Sequence, residues 1–231
     1  MYILITQIKQ NTMKRLVLLS LGLIRLTAWG FTLTAQEISW NDTTASYSLP
    51  EGIKLYHGTR TLPALKAWYL EVDTKVQQIA LVPYLSDKGL QTISSFAAEV
   101  GAYAAINGGF FGGSSSYSTL IHPGEVLAQN IQALTRNGKS YPVIRSMFTV
   151  KEDRSMSVDW IYHFSSSIND VFKFENPFPY TPTSEPFSAP SPDSGEVFSD
   201  VFLGLGGGPV LVKNGPIRVT YDEEIFWGSG V

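Results

Sequence analysis

Residues 103–113 read Tyr-Ala-Ala-Ile-Asn-Gly-Gly-Phe-Phe-Gly-Gly, and no other stretch of the chain restricts its fold as tightly. The small and apolar residues ahead of Asn107 suit a buried strand, and an Asn-Gly-Gly step takes positive φ at little steric cost. The expectation is a strand ending in a bare-backbone loop. Phe110 and Phe111, then Ser114, Ser115 and Ser116, would gather apolar faces, hydroxyls and uncrowded backbone N–H groups there. A plain hairpin turn whose phenylalanines enter the core accounts for the same residues. Downstream, Leu205-Gly206-Gly207-Gly208-Pro209-Val210-Leu211-Val212 makes a second glycine turn that reads as feeding an apolar strand over 209–212.

The surrounding patterns fit a sheet. Trp68, Leu70 and Val72 alternate with polar neighbours over 66–72, and a second strand is expected over 76–84, joined through Asp73-Thr74-Lys75. Residues 36–63 read as a polar arm with a first edge strand. Thr92 is placed to cap a helix whose apolar positions Ile93, Phe96, Ala97 and Val100 share one face, and Gly101 stops it. That helix is expected to pack on the sheet and lead into the strand ending at Asn107. A hairpin joins 141–150 to 157–164 across Glu152-Asp153-Arg154-Ser155. Six prolines between Pro177 and Pro192 mark 169–199 as irregular, while Phe174, Phe178, Tyr180 and Phe187 would make that segment pack, as a lid or a plain insertion. The fold class is therefore α+β, mostly antiparallel sheet with a few packed helices.

The 231 residues, 44% hydrophobic, suffice for one well-cored domain. Lys14 and Arg15 precede an apolar run over 16–24 that continues past Arg25 to Ala35, the layout of a secretory signal peptide over residues 1–35 with its start at Met13. The run is too short and interrupted for a stable membrane span, a retained anchor being the alternative. Without cysteine the chain is neither a disulfide scaffold nor anchored through a lipidated cysteine. Its formal charge of −3 deepens once the leader, which carries four cations and no acid, is removed, and this opposes nucleic-acid binding. The expected protein is exported, periplasmic or extracellular, and monomeric by default. His57, His122 and His163 show no ligand spacing, so neither a metal nor a cofactor is expected. The serine run lacks the context of a nucleophile elbow, and Gly206-Gly207-Gly208 lacks that of a dinucleotide loop.

Ala105-Ile106-Asn107-Gly108-Gly109-Phe110-Phe111 and Gly206-Gly207-Gly208-Pro209 resemble the phosphodiester glycosidase family, relatives of the uncovering enzyme that removes N-acetylglucosamine from phosphodiester-linked mannose. The resemblance runs from residue 64 onward and implies a domain over 64–231. Family members continue into an arginine-containing segment, an Asp-Gly-Arg turn and an Asp-Gly-Gly-Gly-Ser motif, none of which occurs here, so it also implies a truncated domain without turnover of its own. The implied reaction separates a sugar from a phosphodiester, on a cell-envelope polysaccharide for example. Its leaving group is already a stabilised anion, so anion binding matters more than a strong general acid. By resemblance Asn107 is the catalytic residue, contacting sugar or phosphate. Gly108 and Gly109 admit the ligand, Phe110 and Phe111 wall it, and Gly206, Gly207, Gly208 and Pro209 close the other side. The rival expectation is a non-catalytic carbohydrate-binding or envelope-associated protein. An enzyme needs carboxylates converging on the pocket, for which Glu99, Glu125 and Asp159 are the first candidates.

Overall fold

The computed structural model describes residues 36–86 and 88–228, so the expected leader lies outside the described residues. The described chain divides into two compact units, with the boundary between Val72 and Asp73. The first is a three-stranded antiparallel meander of β1 (Ser39–Asp42), β2 (Ile53–Arg60) and β3 (Leu65–Val72). Residues 36–63 thus hold two strands of this sheet, and β3 pairs back onto β2 rather than forward onto 76–84. Tyr56 and Tyr69 sit opposite each other and stack at 4.6 Å, with Trp40 edge-on to Tyr69 at 4.8 Å. Gly58 makes room for Trp40, since a Cβ there would lie 2.5 Å from the indole.

The second unit contains α1 (Ile93–Val100) and the strands β4 (Phe111–Gly112), β5 (Ser115–Ser116), β6 (Leu120–Ile121), β7 (Val126–Ala128), β8 (Ala133–Arg136), β9 (Lys139–Pro142), β10 (Arg145–Lys151), β11 (Met156–His163), β12 (Val171–Phe174), β13 (Glu196–Val197) and β14 (Val201–Gly206). Seven of them form one sheet in the order β13-β12-β11-β10-β14-β6-β7, every neighbouring pair antiparallel; β4 pairs with β5 and β8 with β9. The fold is α+β and mostly antiparallel sheet. The expected hairpin is β10–β11, but its first strand starts at Arg145, since Tyr141 and Pro142 belong to β9 and pair with β8; its turn is held by the Asp153 carboxylate accepting from Ser155 N at 2.8 Å and by Arg154 at φ +66°. Ile121, Met147, Ile161, Val171, Phe198 and Val201 form one buried cluster. Leu134, Tyr141, Val143, Tyr180, Ile225 and Trp227 form another. Side chains of this size each contribute about 1.5–3 kcal/mol on full burial.

Five expectations are corrected. Residues 76–84 form turns and extended chain, with Val76 N donating to Asp73 O and Ile79 N to Val76 O instead of to a neighbouring strand. Residues 103–106 join no strand either, and Tyr103 and Ile106 are exposed. The helix forms as expected, with Thr92 Oγ1 accepting from Ser95 N at 3.2 Å and Gly101 at φ +65°, yet none of its residues is buried. With 103–106 outside the sheet, α1 is not carried onto it, and Phe96 meets Tyr84 at 5.2 Å. Within 169–199 the first residues are regular, because the prolines begin only at Pro177 and Val171–Phe174 is free to pair with β11. Residues 209–212 make no strand: Val210 N donates to the Thr220 and Glu224 side chains, which leaves one isolated bridge between Val212 and Ile217. Among the described residues no helix is long and apolar enough to cross a membrane.

Candidate functional site

The two glycine segments, far apart in sequence, touch in space. β14 runs beside β6, with Leu205 opposite Leu120, and its last residue donates from Gly206 N to Thr119 O at 2.8 Å. The other segment is tied to the same place, because Phe110 N donates to Ser118 Oγ at 2.8 Å. Gly109 therefore lies against Gly206. A Cβ at 109 would stand 2.3 Å from Ser118 Cβ and 2.4 Å from the Gly206 carbonyl oxygen. Beneath this crossing Thr119 N donates to Asn130 Oδ1 at 2.7 Å, and Thr119 Oγ1 shares a 2.8 Å hydrogen bond with His163 Nε2. Burial pushes the His163 imidazole down to about 4, so it is neutral at pH 7.

The second half of the glycine turn is fixed from below by one carboxylate. Gly207 N donates to Ser146 O at 3.1 Å, and Gly208, at φ +123°, passes so close that a Cβ would lie 2.7 Å from Glu224 Oε2. Glu224 is fully buried and accepts from five donors: Ser146 N and Oγ, each at 2.8 Å, Trp160 Nε1 at 3.1 Å, Val210 N at 3.2 Å and Thr220 Oγ1 at 2.5 Å. Ser146 and Trp160 are register partners on β10 and β11, so the pleat aims both at the same oxygen pair. A carboxylate offers about four lone-pair directions, and all are taken. Glu224 is thus a positioning residue that locks the turn to the sheet.

Arg145 lies beside this lock and is 3% exposed. Its guanidinium rests 4.2 Å from the Phe226 ring and 5.9 Å from the Phe110 ring, the two rings being 5.5 Å apart. Loss of solvent pushes Arg145 down to about 10; the Glu224 charge works against that shift and the Arg136 charge adds to it. Its Nε and Nη2 atoms are buried without a hydrogen-bond partner among the described residues.

Of the residues singled out in the sequence, Asn107 and Gly108 are exposed at the rim, Phe111 is exposed, and Phe110 is half-buried facing Phe226. Pro209 is half-buried, following the turn. Positive φ was expected at the Asn-Gly-Gly step, but Gly108 and Gly109 do not have it; close approach is what requires glycine at 109. Gly207 has open space where a Cβ would point. Several amides expected to be uncrowded are already engaged, those of Phe110, Gly206 and Gly207. The three candidate acids stay apart from the crossing: Glu99 accepts from Lys88 at 2.6 Å and Gln91 at 2.9 Å, Glu125 is exposed, and Asp159 accepts from Ser157 and lies 3.8 Å from Lys213. Sequence reasoning missed Ser118, Asn130, Arg145 and Glu224. Arg145 carried a usable signal, a lone charge inside Val143-Ile144-Arg145-Ser146-Met147-Phe148; Glu224 carried none, being the end of an Asp222-Glu223-Glu224 run that reads as solvated surface.

Among the described residues no group of His, Asp or Glu is placed to hold a metal ion. Comparison with protein-family models, with curated proteins and with solved structures finds no match.

Proposed function

We propose that this chain acts on a sugar phosphodiester at the crossing of its two glycine segments, in the manner of the phosphodiester glycosidases its motifs resemble. The observation that carries the reading is the contact of Gly109 with Gly206, which puts both motifs at one place. In this reading Asn107, at the rim, hydrogen-bonds the sugar or the phosphate. Phe110 and Phe111 offer apolar faces to a sugar ring, and Gly206, Gly207, Gly208 and Pro209 bound the far side. The phosphate departs as a stabilised anion, so the protein need only bind and orient it. Export through the leader and an envelope polysaccharide as the source of substrate belong to the same proposal.

A second reading, a carbohydrate-binding protein without turnover, is favoured by one observation. Glu99, Glu125 and Asp159 do not meet at the crossing, and the carboxylate that lies there, Glu224, is saturated by five donors. One experiment separates the two. The full chain is titrated with the methyl diester of a sugar 1-phosphate, and binding and release of free sugar are both followed. Binding with release supports the hydrolase, with Asn107→Ala slowing it at least tenfold. Binding without release supports the second reading, and absence of binding removes both.

A further inference from the structure

Arg145 is a charged group whose surroundings do not account for it. Buried arginines normally satisfy their forks with carboxylate or carbonyl oxygens, because an unpaired buried cation is strongly destabilising. Among the described residues Nε and Nη2 have no partner, and Glu224 gives its oxygens to Ser146, Trp160, Val210 and Thr220. Nε and Nη2 are the two nitrogens on one edge of the guanidinium, the edge whose parallel N–H bonds match two oxygens of a phosphate or carboxylate group. The flat face is already used on Phe226, at 4.2 Å, which fixes the plane of the group and leaves that edge as its buried, unpartnered side.

From this geometry we infer that Arg145 is an oxyanion-binding residue, its Nε–Nη2 edge receiving two oxygens of a phosphate group. The inference rests on the sugar-phosphodiester reading only for naming phosphate as the anion; the unpartnered edge itself calls for some oxyanion. Phe110 directly follows Gly109, and Phe226 lies 3.1 Å from where a Gly208 Cβ would be, so the two rings that pack on Arg145 adjoin both glycine segments. The charges acting on Arg145 from the described residues are one carboxylate, Glu224, and one further guanidinium, Arg136, which donates to Trp227 O at 2.8 Å and to Ile225 O. That balance accommodates one added anion. Entry requires Phe110 or Phe226 to turn aside, and neither is fully buried.

The test uses the full chain and inorganic phosphate as probe. Calorimetric titration at low salt should show binding that weakens at least tenfold in Arg145→Met. Arg145→Lys, which keeps the charge and loses the edge, should fall between the two. If neither variant folds, the wild type decides: phosphate should raise its Tm, and chloride at equal ionic strength should not. Equal binding by wild type and Arg145→Met, or no phosphate-specific rise in Tm, overturns the inference. Failure here is distinguishable from failure of the proposed function. Sugar release that survives in Arg145→Met removes Arg145 from the site and leaves the hydrolase standing, whereas Arg145-dependent phosphate binding without any affinity for the sugar diester keeps the oxyanion site and removes the sugar.

Discussion

Gly109 and Gly207 are both glycines of the paired motifs, and the structure asks different things of them. A Cβ at 109 would enter the space of Ser118 and the Gly206 carbonyl, whereas one at 207 meets nothing within 4 Å. Gly109→Val should therefore lower stability by about 2 kcal/mol through overpacking, read from the urea midpoint, and should also open the crossing and weaken ligand binding. Gly207→Ala should stay within about 0.5 kcal/mol of wild type. Equal effects at the two positions would mean that the crossing is not close-packed. That both segments are glycine turns is plain in the sequence; that Gly109 is needed for approach is not, since the atoms demanding it belong to Ser118 and Gly206, residues a local reading does not bring near. Arg145 is the converse, a residue whose oddness was legible in an apolar run while its neighbours Phe110 and Phe226 were not.

Elements whose pattern is closed locally were legible. The β10–β11 hairpin and α1 were both readable, the first from two strand-like runs joined across Glu152-Asp153-Arg154-Ser155 and the second from Thr92, one apolar face and Gly101. Residues 76–84, 103–106 and 209–212 were misread because apolar content alone does not supply a partner strand. In the last case the partner is instead a side chain, and Glu224 joins β10, β11, the turn after β14 and Thr220 at one point. Replacing it tests that account. Glu224→Gln puts an NH2 group against donors and removes the charge, and should cost about 3 kcal/mol, seen as a lower urea midpoint with Trp160 fluorescence altered in the native baseline. A loss below about 0.5 kcal/mol, the range of ordinary surface substitutions, would show that the turn is held by other contacts.

At the scale of the whole molecule, the antiparallel α+β class was legible because alternation and short turns recur along the chain, while the division at Val72 was not, since Asp73-Thr74-Lys75 reads as a hairpin turn that pairs β3 forward and β3 in fact pairs back with β2. What the assembled sheet adds is burial of groups that titrate. His163 is 1% exposed, its Nε2 bonded to Thr119 and its Nδ1 without a partner among the described residues, and its pKa falls from 6.5 to about 4 on folding. The sign follows from which state holds the proton. Between pH 6.5 and 4 the unfolded chain binds a proton that the folded one refuses, so stability is full above pH 6.5 and is lost as pH falls toward 4. By linkage the loss from this group amounts to about 2 kcal/mol between pH 7.5 and pH 5. Glu99 and Asp153 are held below the ordinary carboxylate range, by Lys88 and Ser155 respectively, so their contributions are lost only at lower pH. Urea unfolding at the two pH values should therefore show the drop in wild type and a smaller one in His163→Gln, whose amide does not titrate, what is left in this window coming from His122, which burial also lowers. An equal drop in both proteins would mean that the acid sensitivity arises elsewhere and that folding does not hold His163 below its ordinary range.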